Sequence, residues 1–93
     1  MNPKYYLVTT SYRGVFAGEL IEDRGDVVVL AEARNCVYWD RETKGFLGLA
    51  ATGPTQGCRI GPKVPSITLR GVTAIAECTL EARARWESAP WGA

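Results

Sequence analysis

The sequence predicts a mainly β domain of the β-rich α+β type. The expected architecture is a small bent five-stranded sheet or an SH3/Sm-like barrel, with one short internal helix and a C-terminal helix. Three observations carry this. Runs rich in β-branched and aromatic residues at 5–10, 15–23, 27–37, 66–69 and 72–78 read as strands. The two longest are joined by a tight break, Asp23-Arg24-Gly25-Asp26, in which Gly25 can take positive φ. Neither of those two has a cleanly polar face: Val15, Ala17 and Ile21 alternate with Phe16, Gly18 and Leu20, and Val27 and Val29 with Val28 and Leu30. A sheet apolar on both faces bends until one face fills itself, and its other face needs a helix or a second subunit as cover. A homo-oligomer built from dimers is therefore expected, because a monomer exposing such a patch would be prone to aggregate.

The elements follow in order. After the first strand, Ser11-Tyr12-Arg13-Gly14 supplies a turn. Gly18 is the natural place for the second strand to bend. The third run changes character beyond Leu30, mixing charge, amide and large aromatics through Glu32-Ala33-Arg34-Asn35-Cys36-Val37-Tyr38-Trp39. Over 44–52, Phe46, Leu47, Leu49 and Ala50 form an i, i+3, i+4 stripe compatible with two helical turns, which Gly53-Pro54 ends. Gly45 and Gly48 each weaken that helix by about 1 kcal/mol. Residues 52–65 form a long glycine- and proline-rich loop, and a long structureless connection in a compact domain usually has a function. Thr79 caps a final helix running to Glu87, with Glu81 in its first turn and Arg83 and Arg85 toward its end; Ser88-Ala89-Pro90 terminates it.

Composition narrows the chemistry. Ninety-three residues with 46% hydrophobic and 23% charged content make one domain, 1–93, with its core over about 5–88. No run approaches the roughly 18 apolar residues of a membrane helix, and Met1-Asn2-Pro3-Lys4-Tyr5-Tyr6 has no apolar core of a secretory signal. A net charge of +1 argues against long nucleic acid as a partner. The chain has no histidine, which excludes Ser-His-Asp and Cys-His arrangements. Cys36, Cys58 and Cys78 contain no C-x-x-C pair and read as reduced, small buried hydrophobes in a cytosol. Glu19 and Glu22 could run acid–base chemistry but read as solvated strand-edge charges. The expectation is a protein without catalytic residues, metal or cofactor.

The densest group able to recognise a ligand is Arg34-Asn35-Cys36-Val37-Tyr38-Trp39-Asp40. Tyr38 and Trp39 offer flat surfaces for a nucleobase, worth about 1–3 kcal/mol per base stacked. Arg34 can grip a phosphate and Asn35 can read a base edge. The loop that follows adds Arg59 and Lys63 among glycines whose N–H groups could face an anion. The competing reading makes Tyr38 and Trp39 core or interface aromatics and pairs Arg34 with Asp40 or Glu32. Gly57-Cys58-Arg59-Ile60-Gly61-Pro62-Lys63 lacks the spacing of a P-loop.

Four segments are familiar together: Gly14-Val15-Phe16-Ala17-Gly18-Glu19-Leu20, Ala33-Arg34-Asn35-Cys36-Val37-Tyr38-Trp39, Phe46-Leu47-Gly48-Leu49-Ala50 with Gly53-Pro54, and Val72-Thr73-Ala74-Ile75. Over about residues 5–88 the chain resembles a family of small bacteriophage proteins of unassigned function, and it is similar to anti-CBASS sponges. That resemblance implies an immune-evasion protein in the cytoplasm of the infected bacterial host. Such a protein would sequester a cyclic di- or trinucleotide, or a related nucleotide signal, without cleaving it. It carries over no site residue. Two other readings stand beside it: a protein-interaction module (a host-protein inhibitor or minor virion component), and an Sm-like RNA-binding protein, which the near-zero net charge disfavours.

Overall fold

The computed structural model describes residues 4–11, 14–39 and 45–89. Its elements are β1 (Tyr5–Thr10), β2 (Gly14–Asp23), β3 (Val27–Tyr38), α1 (Gly45–Ala51), β4 (Arg59–Ile60), β5 (Val64–Arg70), β6 (Val72–Glu77) and α2 (Leu80–Ser88). The fold is a small mixed α+β domain with a six-stranded sheet and two helices. Four expected features, the Tyr12-Arg13 part of the first turn, Asp40 as an ion-pair partner, Lys44 at the helix start and Pro90 as terminator, lie outside the described residues.

The hairpin between β2 and β3 forms where Gly25 allows it. Gly25 has φ +85°, its N–H donates to Asp23 Oδ1 at 2.8 Å, and Arg24 N–H donates to Val27 O at 2.8 Å. Farther along, the β2–β3 register slips between Ala17 and Glu19, and Glu32 is pushed to φ +51°. Gly18 sits opposite this bulge, where a Cβ would come within 2.8 Å of Ala31 O. Only a residue without a side chain lets the strands approach there, so the sheet bends at Gly18.

The barrel expected from the sequence does not close. The ladder runs β4-β3-β2-β1-β6, and β5 pairs with β3 on the same side as β4. All pairings are antiparallel. The chain passes from β5, on one edge, to β6, on the other, through the single residue Gly71 at φ +69°. The curl brings the two edges together covalently, but Gly71 turns the chain out of one ladder into the other, and no ladder joins β5 to β6 among the described residues. Isolated bonds hold the corner: Ser11 N–H to Gly71 O at 3.0 Å and Val72 N–H to Asp26 O at 3.3 Å.

Each sheet face has its own core. On the curled face, Val8, Val28, Leu30, Ala33 and Leu69 bury one another, with Tyr6, Phe16, Leu20 and Ile67 packed around them. On the other face Leu7, Val15, Ala17, Cys36 and Ile60 meet Leu49 and Ala50 of α1 and Ala82 and Trp86 of α2. One chain therefore covers both faces. Two short helices pack on one face, and curvature folds the sheet over the other.

The helices are locked by a few polar bonds. Thr79 accepts from Ala82 N–H at 3.0 Å, capping α2, while its hydroxyl donates to Ala51 O at the end of α1 at 2.7 Å. Gly53, at φ +87°, ends α1, and a Cβ there would meet Arg85 Cβ at 2.8 Å and Ala82 O at 3.0 Å. Trp86, fully buried, donates its indole N–H to Leu49 O at 3.0 Å. Arg83 spans the layers, bonding Glu19 of β2 at 2.5 Å and Glu87 at 3.2 Å while lying over the Tyr5 ring. None of the helices among the described residues is long and apolar enough to cross a membrane.

Candidate functional site

Strand alternation divides the six residues singled out from the sequence. Arg34 and Asn35 pair in regular register with Ala17 and Phe16, so their side chains leave opposite faces of the sheet. Arg34 enters the helix side and is only 5% exposed. Its Nε donates to Gly61 O at 2.8 Å, and its Nη1 donates to Trp86 O at 2.9 Å and Ala89 O at 2.5 Å. The guanidinium thus satisfies the last carbonyls of α2 and complements the negative end of that helix. A phosphate could reach it only by displacing those bonds, so the phosphate role expected for Arg34 is corrected to a scaffold role. The expected pairing with Glu32 is also absent: Glu32 is the exposed bulge residue.

Asn35 lies on the curled side, in a cavity of about 190 Å³ lined also by Phe16, Pro62, Val64 and Ile67. Its carbonyl accepts from Gly61 N–H at 2.8 Å, and its Oδ1 would lie 2.1 Å from a Cβ at position 61. Gly61 is therefore clasped between Asn35 and Arg34. The expected anion-cradling loop is corrected on the same ground. The Gly61 N–H is already bonded, Cys58 N–H donates to Thr55 O at 3.1 Å, and Gly53, Pro54 and Gly61 are buried. Gly53 and Gly61 serve close packing, and the segment holds the short β4 and the start of β5.

Of the remaining four residues, Tyr38, Trp39 and Arg59 lie at the far end of β3. Tyr38 is exposed and stands opposite Arg59 of β4, itself exposed. Lys63 is exposed just beyond. Neither cation makes an ion pair with a described residue. Trp39, half-buried against the helix-face core, is the common wall of two depressions. One, about 410 Å³, is lined by Thr9, Thr10, Gly14, Val15, Trp39 and Phe46; the other, about 230 Å³, by Cys36, Val37, Tyr38 and Trp39. Thr9, Thr10 and Phe46 carry no signal in the sequence. Thr9 and Thr10 lie 30 and 29 positions before Trp39 and Phe46 sits on α1, and the packing of α1 beside β1 helps bring them to Trp39.

The lining of the larger cleft holds hydroxyls and rings but no carboxylate. Thr9 Oγ1 bonds Thr73 Oγ1 at 2.8 Å, and Thr10 Oγ1 donates to Ser11 O at 3.1 Å. Burial pushes the Cys36 thiol up to about 12, and its Sγ lies 3.3 Å from Tyr38 O, so it is no thiolate near neutral pH. Among the described residues no three His, Cys, Asp or Glu side chains gather as a metal set.

Neither the curated proteins nor the solved structures include a match to this chain. A family model does match, over residues 3–86, and its description attaches neither a phage source nor a ligand. The chain belongs to the family described as a domain of unknown function, DUF6948.

Proposed function

We propose that this domain is a non-catalytic binding module that holds a cyclic nucleotide, or a related nucleotide signal, and keeps it intact. The observation that supports this reading is the half-buried Trp39 shared by two adjoining clefts, with Phe46 across one and Tyr38 beside the other. A base stacked on such rings gains about 1–3 kcal/mol. Arg59 and Lys63 are exposed cations for the phosphates, and Arg59 stands directly across the ladder from Tyr38. The ligand would survive because the chain has no histidine and the one thiol in the clefts is held protonated, which leaves no base there tuned to take a ribose 2′-hydroxyl proton.

A thermal-shift and calorimetry screen against cyclic di- and trinucleotides and cyclic ADP-ribose isomers tests this, followed by chromatography of the released ligand. At a hundredfold excess over Kd, a true ligand stabilises the fold by about 2.7 kcal/mol, a shift of roughly 10 °C for a domain this small, and is recovered unchanged. A shift no larger than a degree across the screen overturns the reading. The exposed apolar residues Leu47 and Val37 near the clefts, 63% and 65% exposed, would then favour a protein-interaction module.

A further inference from the structure

The sequence separates its cysteines by 22 and 20 positions, but the fold pairs two of them. β4 lies antiparallel on the end of β3 with Cys36 opposite Ile60. Cys58 precedes Ile60 by two positions, just outside β4. Both cysteines pack into the helix-face core, Cys36 buried and Cys58 at its margin, near enough for the Cys58 thiol to help raise that of Cys36. Thr55 holds Cys58 in place from the other side: its carbonyl accepts from Cys58 N–H at 3.1 Å, and its Oγ1 lies 3.6 Å from Cys58 Sγ. Cys78 sits elsewhere in that core, between β6 and α2.

We propose that Cys36 and Cys58 form an oxidisable dithiol, a modification site that small-molecule disulfides convert to an intramolecular bridge between β3 and the approach to β4. The less buried Cys58 reacts first. Its sulfur, as thiolate, attacks one sulfur of the reagent RSSR, breaking the S–S bond and releasing RS⁻, which takes up the proton Cys58 lost. Cys36, protonated at rest, then attacks Cys58 Sγ in the mixed disulfide through the small fraction that has passed its proton to solvent, which makes this the slow step. The Cys36–Cys58 bond forms, the second RS⁻ leaves, and it takes the Cys36 proton. Two thiols are oxidised and one disulfide is reduced to two thiols. The bridge closes a ring that contains Trp39 and Phe46, so oxidation would pin the walls of the cleft described above. This inference does not depend on what the cleft binds.

The test uses the full chain, folded, with oxidised glutathione at neutral pH, followed by alkylation, intact mass and non-reducing peptide mapping. The expected result is a loss of about 2 Da with no retained glutathione, and a peptide linking Cys36 to Cys58. The bridged protein should melt roughly 10 °C above the reduced one, because the crosslink restricts the unfolded chain. Cys78→Ser should bridge as the parent does, and Cys58→Ser should not. A persistent glutathione adduct on Cys58, a bridge to Cys78, or no reaction before denaturation each overturns the proposal. The map of the parent chain is decisive even where a variant folds poorly.

Discussion

Arg34 and Trp39 stand five positions apart at the same end of β3, yet their surroundings differ in kind. Around Arg34 the polar chemistry is consumed: three backbone carbonyls from two segments converge on one buried guanidinium. Around Trp39 it is open: rings face clefts, and Arg59 and Lys63 extend from the surface without a described acidic partner. Both regions read alike in the sequence, as cation, amide and aromatic. The difference teaches that a charged residue signals recognition only after its own hydrogen bonds are counted. A buried cation already held by carbonyls belongs to the scaffold, because removing it strands acceptors away from water.

The comparison breaks most directly at Arg34. Arg34→Met keeps much of the side-chain length but leaves the carbonyls of Gly61, Trp86 and Ala89 short of a donor, and should cost about 3–5 kcal/mol in urea unfolding. A loss below about 1 kcal/mol would mean that the socket is not structural. Alkaline titration probes the same core without mutation. Burial pushes Cys78 up to about 12, as it does Cys36, from an ordinary value of 9.0. Burial raises the Tyr5 hydroxyl as well, and Tyr5 Oη has no hydrogen-bond partner. In these acids the folded state favours the protonated form. Their contribution is thus complete below pH 9 and is lost as pH rises from 9 toward 12, by on the order of a few kcal/mol. Cys78→Ala should flatten that decline relative to the parent; an unchanged slope would remove the thiol as its cause.

Smaller effects sharpen the contrast. Gly53→Ala introduces a side chain at φ +87° against α2 and should cost about 2 kcal/mol, read as a lower melting temperature. Trp39→Ala, at the open end of β3, should cost less than about 2 kcal/mol while abolishing any ligand-induced thermal shift. A well-folded Trp39→Ala protein that still binds would take Trp39 out of the site. Arg59→Ala and Lys63→Ala should change stability by less than about 0.5 kcal/mol. In binding they should weaken affinity and reduce its dependence on salt, measured by calorimetry at two ionic strengths.

Local physics was legible before any coordinates. Gly25 turns the β2–β3 hairpin, Gly18 lies at the bend, Gly53 stops α1 and Thr79 caps α2, because each answers to torsion angles and hydrogen bonds within a few residues. Strand runs were legible for the same reason, since alternation and β-branching act along the chain. The two-residue β4 was not: Arg59 and Ile60 sit among glycines and prolines, and only pairing with β3 makes them a strand.

Patterning along the chain accounts for five of the six strands, both helices, their order and the need to bury both faces of the sheet. Only the tertiary structure decided that the sheet stays open, that two helices pack on one face, and that Arg34 is spent on the fold. It also decided which residues share the cleft with Trp39. The physical reason is separation along the chain. Arg34 reaches a carbonyl 55 positions away, and Thr9 and Trp39 come together only because α1 and the curled strands carry them there. Propensity and periodicity act over a turn or a strand, whereas the choice of a distant partner depends on the whole topology.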